Sequence, residues 1–159
     1  MAATIRSFSS LYGATLLMVL AAGLLTTYLG LKLASMDVAK VWIGAMMSAY
    51  YLGLVLGSKI GHRLIARVGH IRAFVASAGV VTASALGHAL VEQLEIWLVL
   101  RLIVGMCMMC QYMVLESWLN EQADSKNRGT IFASYMIVSY LGLVLGQGAM
   151  SLNPELTIK

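Results

Sequence analysis

Five long segments that carry no charge, or a single charge, dominate this 159-residue sequence. A helix needs about 20 predominantly apolar residues to cross a bilayer core of ~30 Å, and each segment approaches or exceeds that length. A transmembrane strand would show alternating polarity over about 9–11 residues, which is not seen here. We therefore expect an all-α polytopic membrane protein. Its five predicted spans cover about residues 8–31, 41–61, 72–91, 96–118 and 129–152.

The amino-acid composition is typical of a protein embedded in a lipid bilayer. Hydrophobic residues make up 60% and charged residues 11% of the sequence, whereas a soluble domain carries about a quarter charged residues. The net charge of +4 does not indicate nucleic acid as a partner, because there is no soluble domain to bind it. Nucleophile–base pairs, phosphate-binding loops and metalloprotease spacings are also missing from the sequence. We therefore expect neither an enzyme nor a bound cofactor.

The distribution of Lys and Arg predicts the orientation. Because successive helices alternate in direction, one side of the membrane receives seven basic residues and the other receives three. The seven are Arg6, Lys59, Arg63, Arg67, Arg72, Lys126 and Arg128, and the three are Lys32, Lys40 and Lys159. The positive-inside rule then places the N-terminus in the cytoplasm. We expect a multi-pass protein of a bacterial inner membrane.

A heptapeptide occurs twice in the chain. Residues 51–57 read YLGLVLG, and residues 140–146 repeat it 89 positions later. The first copy lies in the second predicted span and the second copy in the fifth, which implies a duplicated unit of three helices. Since three is odd, the second copy would cross the membrane in the opposite direction, and such inverted repeats are typical of secondary transporters. The alternative is convergence within a simple Leu, Gly and Val alphabet.

Arg101 is the one charge between Ile96 and Leu115, the apolar run of the fourth predicted span. A charge at that depth costs about 2.5–3.5 kcal/mol on insertion scales, so it should face protein or water and be paired. On a helical wheel it shares a face with Gly105, Met108 and Tyr112, and Glu116 lies about 60° away. We interpret Arg101 as a residue for substrate binding or proton coupling; the alternative is a structural ion pair.

Three stretches, in this order, resemble the major facilitator superfamily. The first is ARVGHIRAF at residues 66–74, in which Gly69 between basic residues suits a tight turn. The family signature there has the form G-x-x-x-D-R-x-G-R-R, and Ala66 stands in place of its aspartate. The second is R-x-x-x-G at Arg101 and Gly105. The third is ESWLNEQADSKNRGTIFASYMI at residues 116–137. The amino-acid sequences of the first and third stretches are most similar to the YcaD-like bacterial branch of the family.

The resemblance implies twelve helices in two halves, of which this chain supplies the first five, with the second half absent. It implies a secondary transporter that moves a small solute by alternating access, coupled to protons. The expected residues for substrate or proton coupling are Arg101, Glu116, Tyr112, Ser48, Tyr51, Tyr135 and Gln147. The expected gating loop contains Gly61, Arg63, Arg67, Gly69 and Arg72. Small residues allow close helix crossing in lipid, and Gly53, Gly57, Gly142 and Gly146 would pack either against the second half or within the first.

A different class of function rests on the run MCMMCQYM at residues 106–113. Cys107 and Cys110 lie one helical turn apart, and soft sulfur ligands select Cu(I). A non-transporting helix bundle that senses this metal is therefore the alternative, although Met is also a common gap-filler in helix packing. His88, near the outer end of the third span, is expected at the membrane interface.

Overall fold

Five α-helices make up the computed structural model, which describes residues 8–36 and 38–152. They are α1 (Ser9–Ser35), α2 (Lys40–Val68), α3 (His70–Leu90), α4 (Leu94–Gln122) and α5 (Arg128–Ser151). All five are long and apolar enough to cross a membrane, and no strand occurs within the described ranges. The predicted all-α membrane protein with five spans is confirmed. Arg6 and Lys159, which entered the charge comparison, lie outside the described residues.

The α2–α3 connection is shorter than the sequence suggested. Instead of ending near residue 61, α2 continues to Val68, and α3 begins two residues later, at His70. Gly69 has a φ of 83°, a left-handed conformation that glycine adopts without steric cost. Its N–H donates to the carbonyl of Ile65 at 2.9 Å, and its own carbonyl accepts from the N–H of Ala73 at 3.1 Å. The predicted tight turn at Gly69 is confirmed, but most of the expected gating loop is helix.

The helices form two compact units. One contains α1, α5 and the end of α4 from Trp118 onward, and the other contains α2, α3 and the rest of α4. Each unit is built around one pair of helices that cross closely at glycines. These pairs are α1 with α5 in the first unit and α2 with α4 in the second.

In the first unit, the close crossing lies at Gly142 and Gly146 of α5. A Cβ added to Gly142 would lie 2.8 Å from the carbonyl oxygen of Leu16, and one added to Gly146 would meet the carbonyl of Leu20. Beside this crossing is an apolar core. It contains Phe8, Tyr12, Leu119, Ile131 and Tyr135. The Tyr12 hydroxyl donates to the Ile131 carbonyl at 3.2 Å, which ties α1 to α5.

In the second unit, Gly53 and Gly57 of α2 occupy the equivalent crossing. A Cβ on Gly53 would meet the carbonyl of Leu102, and one on Gly57 would lie 2.6 Å from the carbonyl of Met106. Gly105 of α4 lies on the other side of the same crossing, so both backbones approach through glycine. Lipid supplies no hydrophobic force between helices, and such close van der Waals packing is what holds them together.

The two glycine crossings correspond residue by residue. Gly53 and Gly142 are equivalent heptapeptide positions, and their opposing carbonyls belong to Leu102 and Leu16. Gly57 and Gly146 are the next equivalent pair, opposed by Met106 and Leu20. The partners on α4 and α1 are therefore related by one constant offset in the sequence. Shared contacts of this kind support duplication over chance similarity of the two heptapeptides.

The contacts of four glycines bear on one expectation. Gly53, Gly57, Gly142 and Gly146 are buried, and their Cβ positions face α4 or α1 of the described chain. Only a residue without a Cβ permits backbones to approach this closely. These contacts lie within the half, and packing of the same glycines against a second half stays a prediction.

Candidate functional site

Arg101 is buried within α4 and lies at the centre of the candidate site. Only 1% of its surface is exposed, and it is the largest of the side chains that are almost fully buried. A guanidinium cannot lose its proton in a protein, so the site contains a permanent positive charge. A fixed charge inside an apolar segment attracts anions strongly because the surrounding permittivity is low.

The α2–α4 crossing brings an aromatic ring to this charge. Cζ of Arg101 lies 4.8 Å from the centre of the Tyr50 ring. The main-chain carbonyl of Tyr50 abuts Gly105, one turn after Arg101, and Cα of Gly53 lies 3.0 Å from the Cβ position of Gly105. The two glycines thus determine the level along the α4 axis at which Tyr50 of α2 lies. A cation–π contact of this kind is worth about 2 kcal/mol when it is removed from water.

Two further polar residues continue from Arg101 along α4. Tyr112 is partly buried and lies within electrostatic range of both Tyr50 and Glu116. Glu116 itself is exposed. The structure therefore places Arg101, Tyr112 and Glu116 along one side of α4, with Tyr50 of α2 beside them.

The remaining predicted residues are distributed differently. Ser48 is exposed on α2, and Tyr51 is 63% exposed with its ring 5.6 Å from that of Tyr50. Tyr135 belongs to the apolar core of the first unit. Gln147 of α5 is exposed. Of these four residues, Tyr51 lies within electrostatic range of Arg101.

The basic residues expected to form a gate lie on helix ends. Arg63 and Arg67 are exposed on the last turns of α2, and Arg72 is exposed on the first turn of α3. Gly61 is buried, and its Cβ position lies 3.0 Å from the sulfur of Met113 on α4. His70 Nε2 and the Ser117 hydroxyl are 3.0 Å apart, which links the turn to the end of α4.

Cys107 and Cys110 are both free thiols, and Cys110 is buried. Within the described ranges, no group of three or more His, Cys, Asp or Glu side chains is arranged to hold a metal ion. The structure thus adds no ligand of these types to the two cysteines that motivated the Cu(I) hypothesis.

Sequence reasoning missed three polar residues of the second unit, the partly buried Tyr50 and the buried His88 and Gln111. Tyr50 was passed over for its neighbour Tyr51, although only Tyr50 is in register with Gly53 at the crossing. His88, expected at the interface, is 3% exposed, as is Gln111. The face of α4 that carries Arg101, Met108 and Gln111 repeats every three or four residues, and this periodicity was the available signal for Gln111.

With this geometry in place, comparisons with known proteins identify the family. The profile of the Major Facilitator Superfamily matches residues 4–152. The chain is 34% identical over 139 residues to an uncharacterized MFS-type transporter of Enterobacter sp. (strain 638), which covers 87% of this chain and 36% of that protein. It is 32% identical over 142 residues to the uncharacterized MFS-type transporter YcaD of Shigella flexneri, which covers 89% of this chain and 37% of YcaD. No solved structure matches at comparable significance.

The chain belongs to the major facilitator superfamily. It spans a little over a third of the length of the curated relatives that it matches. The resemblance inferred from the α2–α3 turn, the Arg101 helix and residues 116–137 is confirmed.

Proposed function

We propose that this chain is the N-terminal part of a secondary transporter that carries a small anionic solute by alternating access, coupled to a proton gradient. The observation that carries the proposal is the almost complete burial of Arg101, the one charge between Ile96 and Leu115. Membership of the family indicates a transporter, and the buried positive charge favours a negatively charged solute.

Arg101 fits the binding of an anion for three physical reasons. Its planar guanidinium can donate two parallel hydrogen bonds to a carboxylate or phosphate. Burial strengthens this attraction, because less water screens the charge. The Tyr50 ring, 4.8 Å from Cζ, contacts the guanidinium through its π-face and brings no negative charge that would compete with a bound anion. Glu116, farther along α4, is the proposed titrating partner.

The proposed cytoplasmic gate and the proposed contact with a second half are both inferred from exposed side chains. Arg63, Arg67 and Arg72 form an exposed basic cluster around the Gly69 turn, which suits a cytoplasmic latch and agrees with an N-terminus in the cytoplasm.

Large apolar side chains are exposed at matching positions of the two heptapeptides. They are Tyr51, Leu52, Val55 and Leu56 on α2, and Tyr140, Leu141, Val144 and Leu145 on α5. Such faces suit contact with lipid or with further helices of the same transporter.

The test begins by finding the solute. The natural full-length chain is purified in detergent, and a library of small anions is screened for thermal stabilisation, since a ligand that binds only the folded state stabilises it by mass action. The stabilising compound is then used for uptake into proteoliposomes with an imposed pH gradient.

The variants compared are Arg101→Ala, Arg101→Lys and the control Arg128→Ala, which removes an exposed arginine at the start of α5. We expect Arg101→Ala to abolish uptake and Arg128→Ala to retain it. Arg101→Lys should also fail, because an ammonium cannot reproduce the two-point contact of a guanidinium. Uptake by a folded Arg101→Ala variant at the rate of the wild type would refute the proposed anion site.

A further inference from the structure

His88 forms a buried contact with the α4 helix that the proposed function does not use. It lies near the end of α3 and packs its ring against Trp97, with 5.7 Å between ring centres. Both side chains are 3% exposed. Trp97 is itself fixed, because its indole Nε1 donates to the Val91 carbonyl at 2.7 Å. Trp97 precedes Arg101 by one helical turn, so His88 approaches the helix at the level of the charge.

Hydrogen bonding assigns the tautomer of this ring. Nδ1 of His88 lies 2.7 Å from the carbonyl oxygen of Ser84. Because a carbonyl can only accept, Nδ1 must carry the hydrogen, and in the neutral ring Nε2 then has a lone pair. Nε2 is buried and has no hydrogen-bond partner within the described residues. Buried polar atoms without a partner are rare in native structures and require an explanation. Nε2 is thus a buried nitrogen that can accept a proton.

Charged and titratable groups around the ring limit what this acceptor can do. From α4, Arg101 lies within electrostatic range of His88, and the Trp97 backbone lies within hydrogen-bonding range of the ring. From its own helix, the Ser84 carbonyl holds Nδ1. Tyr50 of α2 contacts the same guanidinium. Glu92 and Glu95, at the α3–α4 connection, are exposed and therefore screened by solvent.

We propose that His88 binds a proton when an anion occupies Arg101, so that it serves as a proton-coupling residue for a solute with a single negative charge. The inference rests on the proposed anion site at Arg101. With the site empty, Arg101 is positive and His88 is neutral. With the site filled, the anion offsets Arg101, and Nε2 takes one proton from water. The charges of Arg101, His88 and the anion then sum to +1 in both states.

Conservation of the buried charge is the physical reason for this coupling. A change in net charge is costly where the permittivity is low, and one proton balances one negative charge. On release of the anion, repulsion from Arg101 returns the proton to water. A solute with two negative charges would leave the cluster with a net charge of zero, so a monoanion suits the arrangement best.

The test measures His88 protonation directly and needs no solute. The natural full-length chain is labelled with ¹⁵N-histidine in lipid nanodiscs and titrated from acidic to alkaline pH, and the His88 signal is assigned from its loss in His88→Gln. Arg101→Gln imitates the neutralised charge, and Arg101→Lys is the matched control that keeps it. We expect Arg101→Gln to increase the proton affinity of His88 at least about tenfold. Arg101→Lys should leave it within about threefold of the wild type.

Equal His88 titrations in the wild type, Arg101→Gln and Arg101→Lys would overturn the coupling. A second measurement uses the wild type alone, in case Arg101→Gln does not fold. In the absence of anions that bind, Nε2 of His88 should stay unprotonated at a pH of about 6.5, where a free histidine side chain is half protonated, and titration of His88 like a free histidine would overturn the inference. Because uptake by Arg101→Ala tests the anion site separately, failure of the proposed function and failure of this coupling give different results.

Discussion

Replacing Gly53 with alanine tests the α2–α4 crossing on which the site depends. The added methyl group would meet the carbonyl of Leu102, and it would lie 3.0 Å from both Cα of Gly105 and the backbone nitrogen of Met106. All of these are backbone atoms, which cannot rotate away as a flexible side chain can. The helices must therefore separate by about 1 Å to restore normal contact, and a gap of that size forfeits up to about half of the dispersion energy of the atoms concerned.

The magnitude follows from two terms. Overpacking in a well-packed region costs about 1–3 kcal/mol, and moving Tyr50 away from Arg101 removes a contact worth about 0.5–2 kcal/mol. We therefore expect Gly53→Ala to lower the free energy of unfolding by about 1.5–5 kcal/mol. Equilibrium unfolding in mixed micelles, followed by the fluorescence of buried Trp97, measures this quantity.

Two other glycines of α2 provide graded controls. The Cβ position of Gly61 meets the flexible end of Met113, with its sulfur at 3.0 Å, and that of Gly44 has nothing within 4 Å. Gly61→Ala should thus be mild, and Gly44→Ala should be neutral or stabilising by up to about 1 kcal/mol, since alanine favours helix. If Gly53→Ala unfolds at the same denaturant concentration as Gly44→Ala, the reasoning about the crossing is refuted.

Three further outcomes follow from the same contacts and from the charge distribution. Tyr50→Phe should keep the wild-type free energy of unfolding, whereas Tyr50→Leu should lose about 0.5–2 kcal/mol; equal values for both would exclude a cation–π contribution. Reporter fusions after Arg67 and Lys126 should be cytoplasmic and a fusion after Gln93 external, and an external signal at Arg67 would refute the orientation. Residues 1–159 alone should show no saturable solute flux in liposomes, because alternating access needs two walls that move against each other; saturable flux by a monomer would contradict this.

The number of spans and the Gly69 turn could be predicted from sequence because each depends on local properties. A run of about 20 apolar residues must be helical in lipid to satisfy its backbone, and a glycine flanked by basic residues suits a turn between helices. The prediction of Arg101 as a site residue was equally local, since it is the one charge between Ile96 and Leu115. In each case the residues that decide the outcome are neighbours in the chain.

The partners of these residues could not be predicted, because they depend on contacts between helices. Periodicity shows that Gly53 and Gly57 share a face of α2, but not which helix that face meets. The choice of Tyr50 over Tyr51 follows from the same register, since the two residues differ by about 100° around the helix. The burial of His88 likewise depends on where Trp97 of α4 lies.

The correspondence between the two helix pairs suggests a further comparison at Arg101. Applying the offset that relates Leu16 to Leu102, the residue of α1 equivalent to Arg101 is Thr15. Thr15 is also fully buried, and its hydroxyl donates to the Leu11 carbonyl at 2.8 Å. A pair of helices packed through glycines therefore folds with a small residue at this position, whose hydroxyl group is hydrogen-bonded within its own helix.

Arg101→Thr should consequently keep the fold and lose transport. Burial of an arginine in a span costs about 2.5–3.5 kcal/mol on insertion scales, so its removal should leave the free energy of unfolding unchanged or raised, after allowance for about 0.5–2 kcal/mol from the Tyr50 contact. Uptake of the anion found by thermal stabilisation should fall to background, while the expression level and unfolding midpoint stay near those of the wild type. A variant that is degraded or unfolded would show that Arg101 is needed for structure, and would favour the ion-pair interpretation of this charge over its role in binding an anion.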